Sequence, residues 1–217
     1  MKKHILCIGD SNTHGSCADP RDCADGGIRF NEDERWTCLL QKALGEEYLV
    51  TEEGLSGRTT VFADPVNENM DVLPYVYALL KSHEYIDLLI IMLGTNDTKE
   101  RMNATAPTIA RGMERLVRKA MSVDCWVPGR KPNVLIIAPP PIGKGMESSS
   151  VADEMGRGAV EKSHQLAACY QAKAQELGVH FLDAAFCQFN TVDFMHLTRH
   201  GHAQLAQRLA ELVPTLL

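Results

Sequence analysis

Five short apolar runs, separated by longer segments with helical periodicity, constrain the fold of this chain more than any other feature. The runs predict strands at residues 4–8, 48–52, 88–93, 134–138 and 179–182. The longer segments predict helices at 34–43, 73–82, 109–121, 159–177 and 198–212. Strict alternation of strands and helices implies a parallel sheet with helices on both faces. We therefore predict an α/β fold.

The composition is ordinary for a globular chain and argues against several classes of protein. A chain of 217 residues with 45% hydrophobic and 23% charged residues suits one domain, expected to span 1–217. The net charge of −6 argues against nucleic-acid binding, which usually needs a basic surface. No apolar stretch approaches the roughly 18 residues of a membrane span. The first apolar run is also too short for a secretory signal, so we expect a cytoplasmic protein whose seven cysteines are free thiols.

A serine directly follows the first predicted strand. Gly9, Asp10 and Ser11 form a turn signal at that point. In open α/β sheets, ligands bind at the carboxyl ends of the strands. A serine hydroxyl there would lie beside free backbone N–H groups, which can stabilise a developing negative charge. Because a Gly-Asp-Ser tripeptide is often only a turn, this stretch alone does not establish a nucleophile.

Three further stretches place reactive residue types on loops that follow or lie beyond later strands. They are Gly54-Leu-Ser-Gly-Arg-Thr-Thr60, Gly94-Thr-Asn-Asp97 and Asp193-Phe-Met-His196. Together with Ser11, they give Ser, Gly, Asn and His in that order over the whole chain. This order resembles the SGNH hydrolases, also called GDSL-type esterases. The sequences of these motifs are most similar to those of the bacterial arylesterase and acyltransferase branch, which also carries out perhydrolysis.

The resemblance implies both a fold and an activity. The implied fold is a flavodoxin-like three-layer α/β/α sandwich with a five-stranded parallel sheet. The implied activity is a serine esterase that hydrolyses short acyl groups of small esters through an acyl-enzyme. In the branch resembled, an alcohol or a peroxide can take the acyl group instead of water. No cofactor and no metal are implied, and a homo-oligomer is expected from the resemblance.

Ser11, His196 and Asp193 are the predicted catalytic residues. A serine hydroxyl needs a base, and Asp193 can fold back over one turn to orient His196 as that base. An Asp-x-x-His pair is more often a salt bridge at a helix start, but its place beyond the last strand favours catalysis. By resemblance, the oxyanion hole consists of the backbone N–H groups of Ser11 and Gly57 and the side-chain amide of Asn96. Structural alternatives are a turn glycine and a loop cap, respectively.

Asn12, Arg58 and Trp36 are the predicted substrate contacts, although Arg58 and Trp36 have equally good structural roles. Two long segments rich in helix-breaking residues, 12–33 and 139–158, each follow a predicted strand. Loops of that length are often functional, so we expect both to wall the cleft. The natural substrate is not predicted, because the shape of the pocket depends on these two segments.

Three rival functions remain open. A carbohydrate O-deacetylase would use the same catalytic residues on a different ester. A zinc hydrolase could use Asp193, His196, His200 and His202, since two of these histidines have helical i, i+4 spacing. That arrangement would leave Ser11 without a role. A non-catalytic flavodoxin-like module would instead hold a small anion at the helix N-terminus that follows Ser11.

Overall fold

A computed structural model describes residues 2–217, in which five strands form one parallel sheet. The strands are β1 (Lys3–Gly9), β2 (Tyr48–Gly54), β3 (Leu88–Met92), β4 (Val134–Ala138) and β5 (His180–Asp183). Their order across the sheet is β2-β1-β3-β4-β5, and each neighbouring pair is parallel. This order is that of the flavodoxin-like doubly wound sheet. The predicted α/β fold with a five-stranded parallel sheet is confirmed.

Helices cover both faces of the sheet. They are α1 (Ser11–His14), α2 (Trp36–Leu44), α3 (Val76–Ser82), α4 (Ala106–Met121), α5 (Ala152–Met155), α6 (Ala159–Leu177) and α7 (Arg199–Leu216). Helices α2 and α7 pack on one face, and α3, α4 and α6 pack on the other. Three short 3-10 turns also follow strands, at Asn96–Thr98, Glu100–Met102 and Lys144–Ser148.

Strand β3 forms the centre of the core. Every residue from Leu88 to Met92 is at most 1% exposed. Because successive side chains in a strand point to opposite faces, Leu89 and Ile91 pack under α3, α4 and α6, whereas Leu88 and Ile90 pack under α2 and α7. Burial of each such side chain contributes about 1.5–3 kcal/mol. A strand buried on both faces reads as a continuous apolar run, which is why the sequence predicts it clearly.

The helices differ from the predicted ones mainly at their ends. The helix predicted to start at residue 34 starts at Trp36, because the carboxylate of Glu34 accepts hydrogen bonds from the N–H groups of Ala24 and Asn31 in the preceding loop. Thr198 caps α7 through its hydroxyl oxygen, as predicted, but the helix continues to Leu216. Segment 139–158 is also more regular than predicted, since it contains one 3-10 turn and α5.

Two negative findings apply to the described residues. None of the helices within residues 2–217 combines the length and apolar character that a membrane crossing requires. All seven cysteines are free in this part of the chain. Cys17 and Cys23, the closest pair in the sequence, instead pack against Phe30. Their thiols donate to the backbone oxygens of Asp19 and Arg29.

Candidate active site

Ser11 lies at the carboxyl end of β1, where the chain turns directly into α1. The side chain of Asp10 caps this short helix by accepting a hydrogen bond from the N–H of Asn12 at 3.0 Å. The last residues of β1 and β2 must both be glycine. A Cβ at Gly9 would collide with Thr13, and a Cβ at Gly54 would collide with the backbone of α1. Close packing of α1 against β1 and β2 therefore fixes where the Ser11 hydroxyl points.

His196 reaches Ser11 from the loop that precedes α7. Its Nε2 lies 2.8 Å from the Ser11 Oγ, and its Nδ1 lies 2.5 Å from Oδ2 of Asp193. Ser11 and His196 are 185 positions apart in the chain, so only the tertiary fold brings them together. The arrangement has the geometry of a nucleophile, a base and a carboxylate that orients the base.

Asp193 is buried and strongly restrained. Its Oδ1 accepts hydrogen bonds from the N–H groups of Met195 and His196, each at 3.0 Å, and from Nδ2 of Asn190 at 2.9 Å. Burial acts to raise the pKa of the Asp193 carboxyl, but the hydrogen bonds and the charge of His196 outweigh it and leave the pKa well below its usual value. The carboxylate therefore stays ionised and holds the imidazole in one tautomer.

Asn190 is a site residue that the sequence analysis missed. Its Nδ2 also donates to the backbone oxygen of His196 at 2.8 Å, and its Oδ1 accepts from the N–H groups of Val192 and Asp193. This side chain folds residues 190–196 into a compact loop. An Asn in a polar loop is the available sequence signal, but such residues are too common in turns to identify this role.

Ser11, Gly57 and Asn96 line the same cleft, from loops after β1, β2 and β3. Gly57 has φ = +88°, which favours glycine, and a Cβ at this position would lie 3.0 Å from the sulfur of Met70. Within residues 2–217, the N–H groups of Ser11 and Gly57 donate no hydrogen bond. One N–H of the Asn96 amide donates to the backbone oxygen of Arg58 at 3.1 Å, which leaves the second available. The site thus has a set of donors suited to an oxyanion.

The cleft has a volume of about 340 Å³. Its polar lining comes from Ser16, Ser56, Asn67, Thr95, Lys99 and Glu154, and its apolar lining from Met70, Val151, Met155 and Met195. Both long segments contribute to this wall, as predicted, through Ser16 and through residues 151–155. A cleft of this size suits a small ligand with one polar and one apolar part.

The structure corrects the expectation for two substrate contacts. Trp36, the first residue of α2, is fully buried in the core formed by the sheet, α2 and α7, and its backbone N–H donates to Nδ1 of His202. Arg58 is 9% exposed, and its guanidinium turns inward to the backbone oxygens of Gly9 and Glu53. Neither side chain lines the cleft. Trp36 stabilises the core and Arg58 ties the ends of β1 and β2 together.

Asn12 does line the cleft, and both polar atoms of its side-chain amide form hydrogen bonds within the protein. It donates from Nδ2 to the backbone oxygen of Met195 at 3.3 Å and accepts at Oδ1 from the N–H of Leu197 at 2.9 Å. These contacts join α1 to the loop that carries His196. They give Asn12 a structural role, while its predicted contact with substrate stays a prediction.

A cluster of four charged residues forms part of the cleft wall and was also missed by the sequence analysis. Nζ of Lys99 lies 2.8 Å from Glu154 and 3.7 Å from Asp64. Arg101 lies 2.5 Å from Glu154 and 2.8 Å from Asp64. This ionic cluster fixes α5 to the turns after β3. The two basic residues are close in the sequence, but Asp64 lies 37 positions from Arg101 and Glu154 lies 55 positions from Lys99, so no spacing rule predicts the pairing.

The histidines considered for a zinc site do not converge. His202 is fully buried, packs edge-on against the ring of Phe30 at 4.9 Å, and has a pKa lowered to about 3 by burial. His200, in contrast, is exposed on α7. In residues 2–217, no three His, Cys, Asp or Glu side chains form a group that could hold a metal ion. The geometry at His196 is therefore that of a base paired with Asp193.

Comparison with known proteins places this geometry in a family. Residues 7–204 match the model of the GDSL-like lipase/acylhydrolase family. The M. smegmatis aryl esterase is 37% identical, with 99% of this chain and 100% of that chain covered and a TM-score of 0.87. Est24, a carbohydrate acetylesterase from Sinorhizobium meliloti, is 34% identical with complete coverage of both chains and a TM-score of 0.87. A search of curated proteins gave no match. The chain belongs to the GDSL (SGNH) acylhydrolase family and is a carboxylic ester hydrolase.

Proposed function

We propose that this protein is a serine esterase that cleaves short acyl groups from small esters through an acyl-enzyme on Ser11. The observation that carries the proposal is the hydrogen-bonded series from Ser11 Oγ to His196 Nε2 at 2.8 Å and from His196 Nδ1 to Asp193 at 2.5 Å. A hydroxyl so placed can lose its proton to the imidazole as it attacks a carbonyl carbon.

In the first half of the reaction, Ser11 Oγ bonds to the ester carbonyl carbon and its proton moves to His196 Nε2. The carbonyl oxygen becomes an oxyanion, which accepts hydrogen bonds from the N–H groups of Ser11 and Gly57 and from the amide of Asn96. Each such donor is worth about 2.7–4 kcal/mol in the transition state. When the carbonyl re-forms, the bond to the alcohol oxygen breaks and His196 returns its proton to that leaving group.

In the second half, water attacks the acyl-enzyme and gives its proton to His196. The intermediate then releases the carboxylic acid and Ser11 regains its proton. An alcohol or a peroxide that enters the cleft in place of water would receive the acyl group by the same steps. Acyl transfer is therefore part of the proposal, and added methanol should yield methyl ester in proportion to its concentration.

The decisive experiment compares the wild-type protein with Ser11→Ala on an aryl acetate. We expect the variant to lose kcat by a factor on the order of 10⁴–10⁶ with its fold unchanged, because only binding and the oxyanion donors remain. Ser122→Ala, an exposed serine at the end of α4, is the matched control. Labelling with an organophosphate should modify Ser11, as peptide mass spectrometry can check. Full activity in Ser11→Ala would exclude the proposed nucleophile.

A carbohydrate O-deacetylase is the second candidate, and the polar part of the cleft favours it. The hydroxyl oxygens of Ser16 and Ser56 lie 3.0 Å apart at one side of the cleft. Asn67 and Lys99 add further polar groups. Such groups could bind sugar hydroxyls, and the relative Est24 is described as a carbohydrate acetylesterase. The ratio of kcat/KM on acetylated xylo-oligosaccharides to that on aryl acetates distinguishes the two candidates.

A further inference from the structure

The side chain of Asn12 holds the backbone on both sides of His196. Asn12 is 2% exposed. Its Oδ1 accepts from the N–H of Leu197 at 2.9 Å, and its Nδ2 donates to the backbone oxygen of Met195 at 3.3 Å. The residues that it contacts are the two chain neighbours of His196. A primary amide is suited to this position, because it donates and accepts at the same time without carrying charge.

The same residue is tied to the nucleophile. Asn12 follows Ser11 in α1, and its own N–H donates to the cap Asp10 at 3.0 Å. Asn12 therefore has one end fixed to the backbone of Ser11 and the other fixed to the backbone around His196. This link runs parallel to the contact between Ser11 Oγ and His196 Nε2.

Two other kinds of restraint act on His196, one inside its own loop and one from the segment after β4, where the N–H of Gly143 donates to the backbone oxygen of Phe194 at 2.8 Å. Asn190 and Asp193 bind the backbone and the ring of His196, but both belong to the same loop and move with it. Among the described residues, the hydrogen bonds between α1 and residues 190–197 come from Asn12 and from the Ser11–His196 contact itself. Without the amide, the Ser11–His196 contact would be the remaining hydrogen bond between α1 and this loop in the described part of the chain.

We propose that Asn12 is a positioning residue that sets the separation of Ser11 and His196 and thereby the rate of proton transfer. This inference rests on the proposed roles of those two residues. It replaces substrate binding as the function of Asn12. A displacement of about 1 Å between reacting groups can cost about 10²-fold in rate, so loss of the amide should act on kcat.

The test measures kcat and KM for an aryl acetate in Asn12→Leu, which keeps the number and branching of the side-chain heavy atoms and removes both hydrogen bonds. We expect kcat to fall by about 10- to 100-fold and KM to stay within about twofold. Asn133→Leu is the matched control. Asn133 is half-buried and lies away from the cleft, and like Asn12 it donates from its side-chain amide to a backbone oxygen, here that of Leu216. It should keep both constants. A raised KM with unchanged kcat in Asn12→Leu would instead identify a substrate contact and overturn the proposal.

A double-mutant cycle with His196→Ala separates positioning from a general structural effect. If Asn12 acts through His196, Asn12→Leu should cost nothing further in the His196→Ala background. An equal loss in both backgrounds would overturn the proposal. Asn12→Ser, whose hydroxyl is too short to reach either partner, provides the same comparison if the leucine variant does not fold. Activity that survives in His196→Ala alone would contradict the proposed catalytic mechanism, so the two failures can be told apart.

Discussion

Two parts of the cleft wall are held in place by different kinds of interaction. The loop that carries His196 is fixed by hydrogen bonds from the buried amides of Asn12 and Asn190 and by one carboxylate, Asp193. Helix α5, which carries Val151 and Met155 to the cleft, is fixed by the ionic cluster. The difference separates the part of the site that carries the proposed catalytic base from the part that forms the wall of the cleft.

Exposure to solvent makes these two kinds of restraint unequal. The side chain of Asp193 is 5% exposed, whereas that of Glu154 is 47% exposed. Hydrogen bonds in a buried region are unaffected by salt, but ion pairs with an exposed partner are screened and worth about 0–1 kcal/mol each. We infer that the His196 loop is rigid and that α5 is the adjustable part of the wall.

The largest expected effect on kcat comes from a substitution in the loop that carries His196. Asp193→Asn keeps the shape of the side chain but offers His196 an N–H or a neutral oxygen in place of a carboxylate, which removes the preference for the productive tautomer. We expect kcat to fall on the order of 10⁴-fold, the size of effect seen when such a base has the wrong tautomer. Steady-state kinetics on an aryl acetate, with circular dichroism to confirm the fold, provide the measurement. A loss below about tenfold would mean that the carboxylate is only structural.

A smaller effect is expected from Glu154→Gln, which breaks the ion pairs of α5 with Lys99 and Arg101. The wall should loosen, so that rates on hexanoate esters relative to acetate esters rise by up to about tenfold, while kcat on acetate changes little. The free energy of unfolding should fall by about 1 kcal/mol, since the carboxylate is half exposed. Glu147→Gln, an exposed glutamate of the same segment with no ion pair among the described residues, is the control. An unchanged chain-length profile would show that α5 does not limit the size of the substrate.

The smallest effect is expected from salt. At about 1 M salt the Debye length is only about 3 Å, so the ion pair of Glu154 should weaken while the contacts of Asn12 persist. The hexanoate-to-acetate ratio of the wild-type protein should therefore rise by about twofold, with kcat on acetate nearly constant. In Glu154→Gln the ratio should not respond. A large loss of kcat with salt would mean that the His196 loop also depends on screened charges.

The sequence predicts the fold and the central residues of the site for the same reason. Uninterrupted apolar runs such as Leu88–Met92 are typical of strands buried on both faces, and loops after parallel strands meet at one edge. Ser11, Gly57 and Asn96 follow strands directly, so their convergence could be expected. His196 lies beyond the last strand, and its position after the Ser, Gly and Asn motifs in the chain identified it as the candidate base.

The remaining features depend on side-chain directions that no local pattern records. Trp36 and Arg58 stand near functional motifs in sequence but turn into the core and toward carbonyl oxygens. The side chain of Asn12 binds the backbone of Met195 and Leu197, which are more than 180 positions away in the chain. Pairings of this kind follow from tertiary packing and can be found only in three dimensions.

The separation of Ser11 and His196 along the chain has a consequence for biosynthesis. During synthesis the proposed nucleophile Ser11 precedes its proposed base His196 by 185 positions. Contacts of such long range form late, after the intervening loop entropy has been overcome. A nascent or truncated chain therefore has no complete site and cannot act on esters prematurely. Recovered turnover after denaturation accordingly reports assembly of the entire sheet rather than of any fragment.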